Sequence, residues 1–220
     1  LTCIHRGFAA RLVLVIAAPA GTSTSGLCIS RPMAWEVDSV KYLHERAIST
    51  QQTGFSFVAQ SRASLPDPIG GVLWFGVDDT YTTVYVPFYC GITRAPKSWA
   101  AGTADFGSFS RESAFWVFNF VANWAYSRYS DMIVDIQGVQ RELEGRFLAD
   151  QPGIDQAALK LHEQAPQLAR DYLTDYCERQ GEMVTDRWRK LGDFLIWKYL
   201  DGNVRDSQGK VTFPKYPETW

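Results

Sequence analysis

The sequence predicts an α+β fold in which antiparallel strands come first and helices follow. Three observations point there. Three stretches between residues 54 and 89 are rich in β-branched and aromatic side chains. Turn-forming residues separate them at short intervals. From residue 111 onward the apolar positions recur at spacings of three and four. A chain of 220 residues can remove roughly 70% of its unfolded surface from water, so a core can form without staples.

Residues 1–30 differ from the rest. Arg6 and Arg11 precede an apolar run at 12–18 and a small-residue stretch, Ala18-Pro19-Ala20-Gly21-Thr22-Ser23-Thr24-Ser25-Gly26. That order imitates a secretory signal, although the run is far below the roughly 20 residues that cross a bilayer. The segment is expected to be signal-like, truncated or mis-joined, and no membrane span is expected. The domain then occupies residues 31–220.

Within it, strands are predicted at 54–62, 71–77 and 82–89. Pro66-Asp67-Pro68 with Gly70-Gly71 fills the first gap, and Asp78-Asp79-Thr80 marks a short hairpin-type connection in the second. Residues 91–108 read as an irregular connection. Ser110 is the expected N-cap of a helix over 111–126, buried nearly all round because Trp116, Phe120 and Trp124 fill the faces left by Ala114, Phe115, Phe118, Val121, Ala122 and Ala125. Residues 131–148 place Ile133, Ile136, Val139, Leu143 and Phe147 on one stripe. A weaker helix is expected over 154–163, and one or two more over 169–199, with Val184, Trp188, Leu191 and Leu195 in phase. Asp201-Gly202 stops the last helix, and the tail reads as an extended arm.

Lys plus Arg number 22 against 24 Asp plus Glu, a net charge of -2, which leaves no basic field for a polyanion, so general nucleic-acid binding is not expected. Cys3, Cys28, Cys90 and Cys177 are too far apart for zinc knuckles or redox dithiols, and His5, His44 and His162 form no local ligand set. No metal is expected. Phosphate-binding glycine loops and the Gly-x-Ser-x-Gly elbow are also missing. Cys90 reads as a buried, inert thiol at a strand end. Asp78 and Asp79, as strand neighbours, would point to opposite faces, and a solvated turn is favoured for them. Glu36 and Asp38 could share a strand face, which edge-strand solvation explains equally well. Residues 45–54 form the most polar stretch leading into a predicted core strand. They offer amide and guanidinium donors to a carboxylate or peptide carbonyl, or else simply a hydrogen-bonded strand entry.

Several long blocks resemble one family in collinear order. They are Arg31-Pro32-Met33-Ala34-Trp35-Glu36-Val37-Asp38, Ser49-Thr50-Gln51-Gln52-Thr53-Gly54-Phe55-Ser56-Phe57-Val58-Ala59-Gln60 and Gly71-Val72-Leu73-Trp74-Phe75-Gly76-Val77-Asp78-Asp79-Thr80. Tyr85-Val86-Pro87-Phe88-Tyr89-Cys90-Gly91-Ile92, Ser113-Ala114-Phe115-Trp116-Val117-Phe118-Asn119-Phe120-Val121-Ala122-Asn123, Asp135-Ile136-Gln137-Gly138-Val139-Gln140 and Arg187-Trp188-Arg189-Lys190-Leu191-Gly192 continue the series. The chain thereby resembles the cysteine-type dipeptidases related to secernins over residues 31–220.

That resemblance implies an N-terminal-nucleophile hydrolase with a layered αββα sandwich, a dipeptide substrate and no metal or organic cofactor. An amino-terminal cysteine would attack, with its own α-amine as base. The residues after Cys3 (Ile4-His5-Arg6) and after Cys28 (Ile29-Ser30-Arg31-Pro32) do not resemble the family's start. The expectation is therefore a carboxyl-terminal part that lacks the nucleophile and contributes no catalytic residue of its own. Its uncovered apolar layer would favour association, including homo-oligomers. Arg46, Gln51, Gln52 and Thr53 are the candidate substrate-binding residues, because they enter the core strand inside a family-like block. Arg111 joins them as a cation at a predicted helix start, suited to a substrate carboxylate. Two alternatives stand beside this one: a non-catalytic secernin-like interaction protein, and an amide acylase of the penicillin or bile-salt type sharing the same chemical scheme.

Overall fold

A computed structural model of the chain describes residues 13–17, 34–43, 49 and 53–214. Its main sheet has four antiparallel strands in the order β1 (Val13–Ala17), β4 (Phe55–Ser61), β5 (Gly71–Val77) and β6 (Val86–Tyr89). A separate hairpin pairs β2 (Ala34–Val37) with β3 (Val40–Leu43). Its two turn residues, Asp38 and Ser39, both have positive φ (50° and 59°), the backbone a two-residue hairpin loop requires. Asp38 therefore leaves the strand and shares no strand face with Glu36, whose cross-strand partner is Lys41.

The sheet alternates as a one-sided layer should. Ser56, Val58 and Gln60 on β4, and Val72, Trp74 and Gly76 on β5, are buried, whereas Phe57, Ala59, Leu73 and Phe75 between them are half-buried. Register places Val58 opposite Trp74 and Pro87 opposite the same residue from the other side. β6 is shorter than the sequence predicts, since residues 82–85 belong to the connection from β5. Between β4 and β5 a single turn of helix, α1 (Asp67–Gly70), starts at a proline-rich corner.

Three long helices complete the fold: α2 (Ala114–Tyr126), α3 (Tyr129–Gln164) and α4 (Pro166–Lys198). Ser113, not Ser110, is the N-cap of α2. The Ser110 hydroxyl instead accepts from the Glu112 N–H at 3.2 Å within the preceding turn. α2 buries Ala114, Val117, Phe118, Val121, Ala122 and Ala125, while Phe115, Trp116, Phe120 and Trp124 are half-buried and Asn123 is exposed, so it is less enclosed than expected. α3 buries Met132, Ile136, Val139, Leu143 and Phe147 as one stripe and runs unbroken through Pro152, joining what reads as two helices. Pro152 denies the Leu148 carbonyl its helical donor. Both residues are exposed, so that carbonyl faces water and the helix continues. The chain does break at Ala165, held extended (φ -161°, ψ 131°) before Pro166, which opens α4 as its first residue. Val184, Trp188, Leu191 and Leu195 are buried on α4. Asp201 and Gly202 then reverse the chain at φ 57° and 74°, and the tail returns as a small hairpin of β7 (Val204–Arg205) and β8 (Val211–Thr212).

Aromatic packing joins the layers. Trp99 meets Phe75, Phe88 and Phe118 edge-on at ring separations of 6.3, 5.4 and 5.8 Å, and Phe118 stacks on Trp188 at 4.7 Å. The Trp99 indole donates to the Gly181 carbonyl at 3.0 Å, where α4 is narrow enough for Pro96 to seat against it. A largely buried ion pair of Arg62 and Asp155 ties the end of β4 to α3. Arg62 also donates to the Ile69 carbonyl at 2.6 Å, and the Tyr89 hydroxyl to Asp155 at 2.7 Å. These contacts give an α+β fold, as predicted, with the main-sheet strands ahead of the three long helices and the β7–β8 hairpin after them. Among the described residues there is a single main sheet, and the second sheet of a layered sandwich is not among them.

Candidate functional site

Where β5 ends, the Asp78 N–H still pairs with the Gly54 carbonyl at 2.9 Å, but Asp78 itself turns into the left-handed region (φ 65°). That turn ends the strand alternation, and both carboxyl groups go inward: Asp78 is 1% and Asp79 0% exposed. The solvated turn expected from the sequence is thus corrected. The premise of opposite faces holds only while the backbone stays extended.

Asn119 and Tyr126 stand seven residues apart on α2, two turns along one face, and each serves one acid. The Asn119 amide donates to Asp78 Oδ1 at 2.8 Å, and the Tyr126 hydroxyl to Asp79 Oδ2 at 2.6 Å. Asp79 Oδ1 accepts from the Tyr81 N–H at 3.0 Å and from the Ser49 hydroxyl. Asp78 Oδ2 is buried with no hydrogen-bond partner. Burial pushes the Asp78 carboxyl up from 3.8 to about 7. Asn119 and the Asp79 main chain oppose that rise, and the Asp79 charge adds to it.

α3 holds the rest of the connection. Gln140 donates to the Tyr81 and Thr83 carbonyls at 3.0 and 2.6 Å, and Glu144, one turn further, accepts from the Tyr85 N–H at 3.0 Å. Burial raises both the Glu144 carboxyl and the Tyr85 phenol. Tyr85 hydrogen-bonds Ser56 at 2.8 Å. Thr83 lies against Gly76, where an added Cβ would come within 2.7 Å of its methyl group, so glycine permits this approach. The Thr83 hydroxyl is buried without a partner.

Of the sequence-predicted residues, Thr53 is buried (3% exposed) directly before Gly54, and so lies beside the acid pair. Arg46, Gln51 and Gln52 lie outside the described residues. Ser49, from the same block, reaches Asp79. Arg111 is elsewhere and is not at a helix start. It is exposed in the turn before α2, where Asp193 of α4 pairs with it at 2.9 Å and Arg189 caps its carbonyl at 2.6 Å. The sequence weighs Asp78 together with Asp79 and sets the pair aside as a solvated turn; it does not single out Asn119 and Tyr126, although polar side chains seven apart in so apolar a helix are a usable signal.

The described thiols are poorly suited to attack. Cys177 is buried on α4, accepts from the Tyr89 N–H at 3.4 Å, and is pushed up to about 12 by burial. Cys90 is exposed, which corrects the expectation of a buried thiol, yet its sulfur lies over Gly71 and partial desolvation raises it too. A thiol held above its ordinary value supplies less thiolate. Among the described residues no helix is long and apolar enough to cross a membrane.

No curated protein matches the chain. Peptidase family C69 matches residues 31–142, just over half of the sequence. The match takes in β2 to β6, α2 and the first part of α3, and with them Asp78, Asp79, Asn119, Tyr126 and Gln140, while α4 and its Arg187 block lie beyond it. The chain belongs to peptidase family C69, the secernin-related cysteine-type dipeptidases that its sequence resembles, which places it among the peptide-bond hydrolases.

Proposed function

We propose that the protein acts in dipeptide hydrolysis by an amino-terminal cysteine that lies outside residues 31–220, and that the ledge of Asp78, Asp79 and Asn119 forms part of the substrate pocket. The observation that supports this most is the buried acid pair itself. It draws together Ser49 and Gly54 from one family-like block and Asn119 from another, within the matched region. Perturbed carboxyls gathered from several elements mark functional sites more often than surface acids do. Arg46, Gln51 and Gln52 remain pocket candidates by their place between or beside Ser49 and Thr53.

In this scheme the cysteine's α-amine takes the thiol proton as sulfur bonds to the scissile carbonyl carbon and the π electrons move onto oxygen. The proton passes to the leaving amine as the C–N bond breaks, and water then releases the thioester. Kinetics with simple dipeptides test the assignment. Cys90→Ala and Cys177→Ala should keep wild-type kcat/KM, whereas a loss beyond about tenfold in a folded variant would return the nucleophile to the described domain.

A further inference from the structure

We propose that Asp78, with Thr83, forms a seat for a primary ammonium group, and that its ligand is the amino end of the dipeptide; the ligand's identity rests on the peptidase reading above. The two adjacent acids are treated very differently. Asp79 spends its oxygens on Tyr126, Tyr81 and Ser49, whereas Asp78 is met by the Asn119 amide and the Asp79 main chain and keeps its second oxygen, Oδ2, buried and unpartnered. A buried carboxylate is costly unless a cation or several donors meet it. Among the described residues no lysine or arginine makes an ion pair with either acid. Among the described residues, then, no side-chain cation offsets the Asp78 charge, and a cationic ligand can supply that offset.

Thr83 supplies an independent second observation. Its hydroxyl is also buried and unpartnered, and its side chain lies against Gly76 of β5, two residues before Asp78, which follows the end of that strand. The groups facing this corner from the packed elements are Asn119 and Tyr126 on α2, Gln140 and Glu144 on α3, Tyr85 beside β6, and Ser49. These described side chains are all neutral or acidic, a setting that favours a positive charge over a carboxylate. Among the described residues no three His, Cys, Asp or Glu side chains converge as a metal set. An ammonium carries one positive charge and three N–H donors, which suits one carboxylate oxygen and one hydroxyl.

The test is binding of alanyl-alanine, N-acetyl-alanyl-alanine and ethylamine to the whole protein at about pH 8, followed by tryptophan fluorescence, in wild type, Asp78→Asn and Thr83→Val. The free dipeptide should bind wild type about tenfold or more tightly than its acetylated form, a gap that narrows in Thr83→Val and closes in Asp78→Asn. Equal binding of the two forms by wild type, or a gap that survives in Asp78→Asn, would overturn the seat, as would failure of every probe to bind. If ethylamine binds with the same dependence on Asp78 and the dipeptide gains nothing over it, the seat stands and the peptidase reading falls. If Asp78→Asn hydrolyses dipeptides with unchanged KM, the peptidase reading stands and the seat falls.

Discussion

Replacing Asp78 by asparagine should remove a loss of stability that the wild-type protein suffers between about pH 4 and pH 7. The carboxyl stands at about 7 in the fold against 3.8 for a free side chain, with burial as the main cause. Below the lower value both folded and unfolded chains hold the proton, and the full contribution is present. Between the two values the unfolded chain gives it up while the folded chain keeps it, so each pH unit removes about 1.4 kcal/mol. Above the upper value both are ionised and the loss is complete, on the order of 4 kcal/mol for a gap of roughly three units. Asparagine has the same shape, tolerates the left-handed backbone at this position and never ionises. The other titrating groups are common to both proteins, so the difference between them isolates Asp78. Urea unfolding followed by tryptophan fluorescence would measure it. The variant should begin about 1–3 kcal/mol behind for its unpaired amide and overtake wild type as pH rises. A difference constant to within about 1 kcal/mol across that window would refute the reasoning.

Two further substitutions test the packing. Gly181→Ala would place a methyl group 2.4 Å from Pro96 Cγ and 3.2 Å from the Trp99 ring; the expected cost is about 1–3 kcal/mol by thermal or urea melt, and a neutral result would show that the 96–99 turn is free to move. Asp155→Ala leaves the Arg62 guanidinium and the Tyr89 hydroxyl without their shared acceptor. It should destabilise by about 3–5 kcal/mol, and a cost below about 1 kcal/mol would mean that water reaches Arg62.

The strands β4 and β5 and the buried stripes of α3 and α4 were legible because burial imposes its period on the sequence. Val58 and Trp74, or Leu143 and Phe147, repeat where the backbone geometry says they must. What was not legible depended on backbone excursions and on solvent. A single left-handed residue, Asp78, sends two neighbouring acids to the same interior, and no periodicity announces it. The sequence reading splits this helix between 148 and 154, the gap that holds Pro152, but the carbonyl that Pro152 frees at Leu148 is exposed, so the break never comes. Arg111 was assigned to a helix start that begins three residues later, and its charge is taken up by Asp193, 82 residues away in sequence. At the site, the polar entry to β4 was recognised, but its partners Asn119 and Tyr126 were not, because only the packing of α2 on the end of the sheet brings them there.

The central claim is that peptide cleavage uses a thiol other than the two described ones. Alkylation of the active protein with iodoacetamide, with and without a protecting dipeptide, followed by mass spectrometry of the labelled peptides, tests it most directly. Inactivation should track modification of an amino-terminal cysteine, with Cys177 unlabelled and any label on Cys90 irrelevant to rate. Inactivation in step with Cys90 labelling, prevented by the dipeptide, would contradict the account.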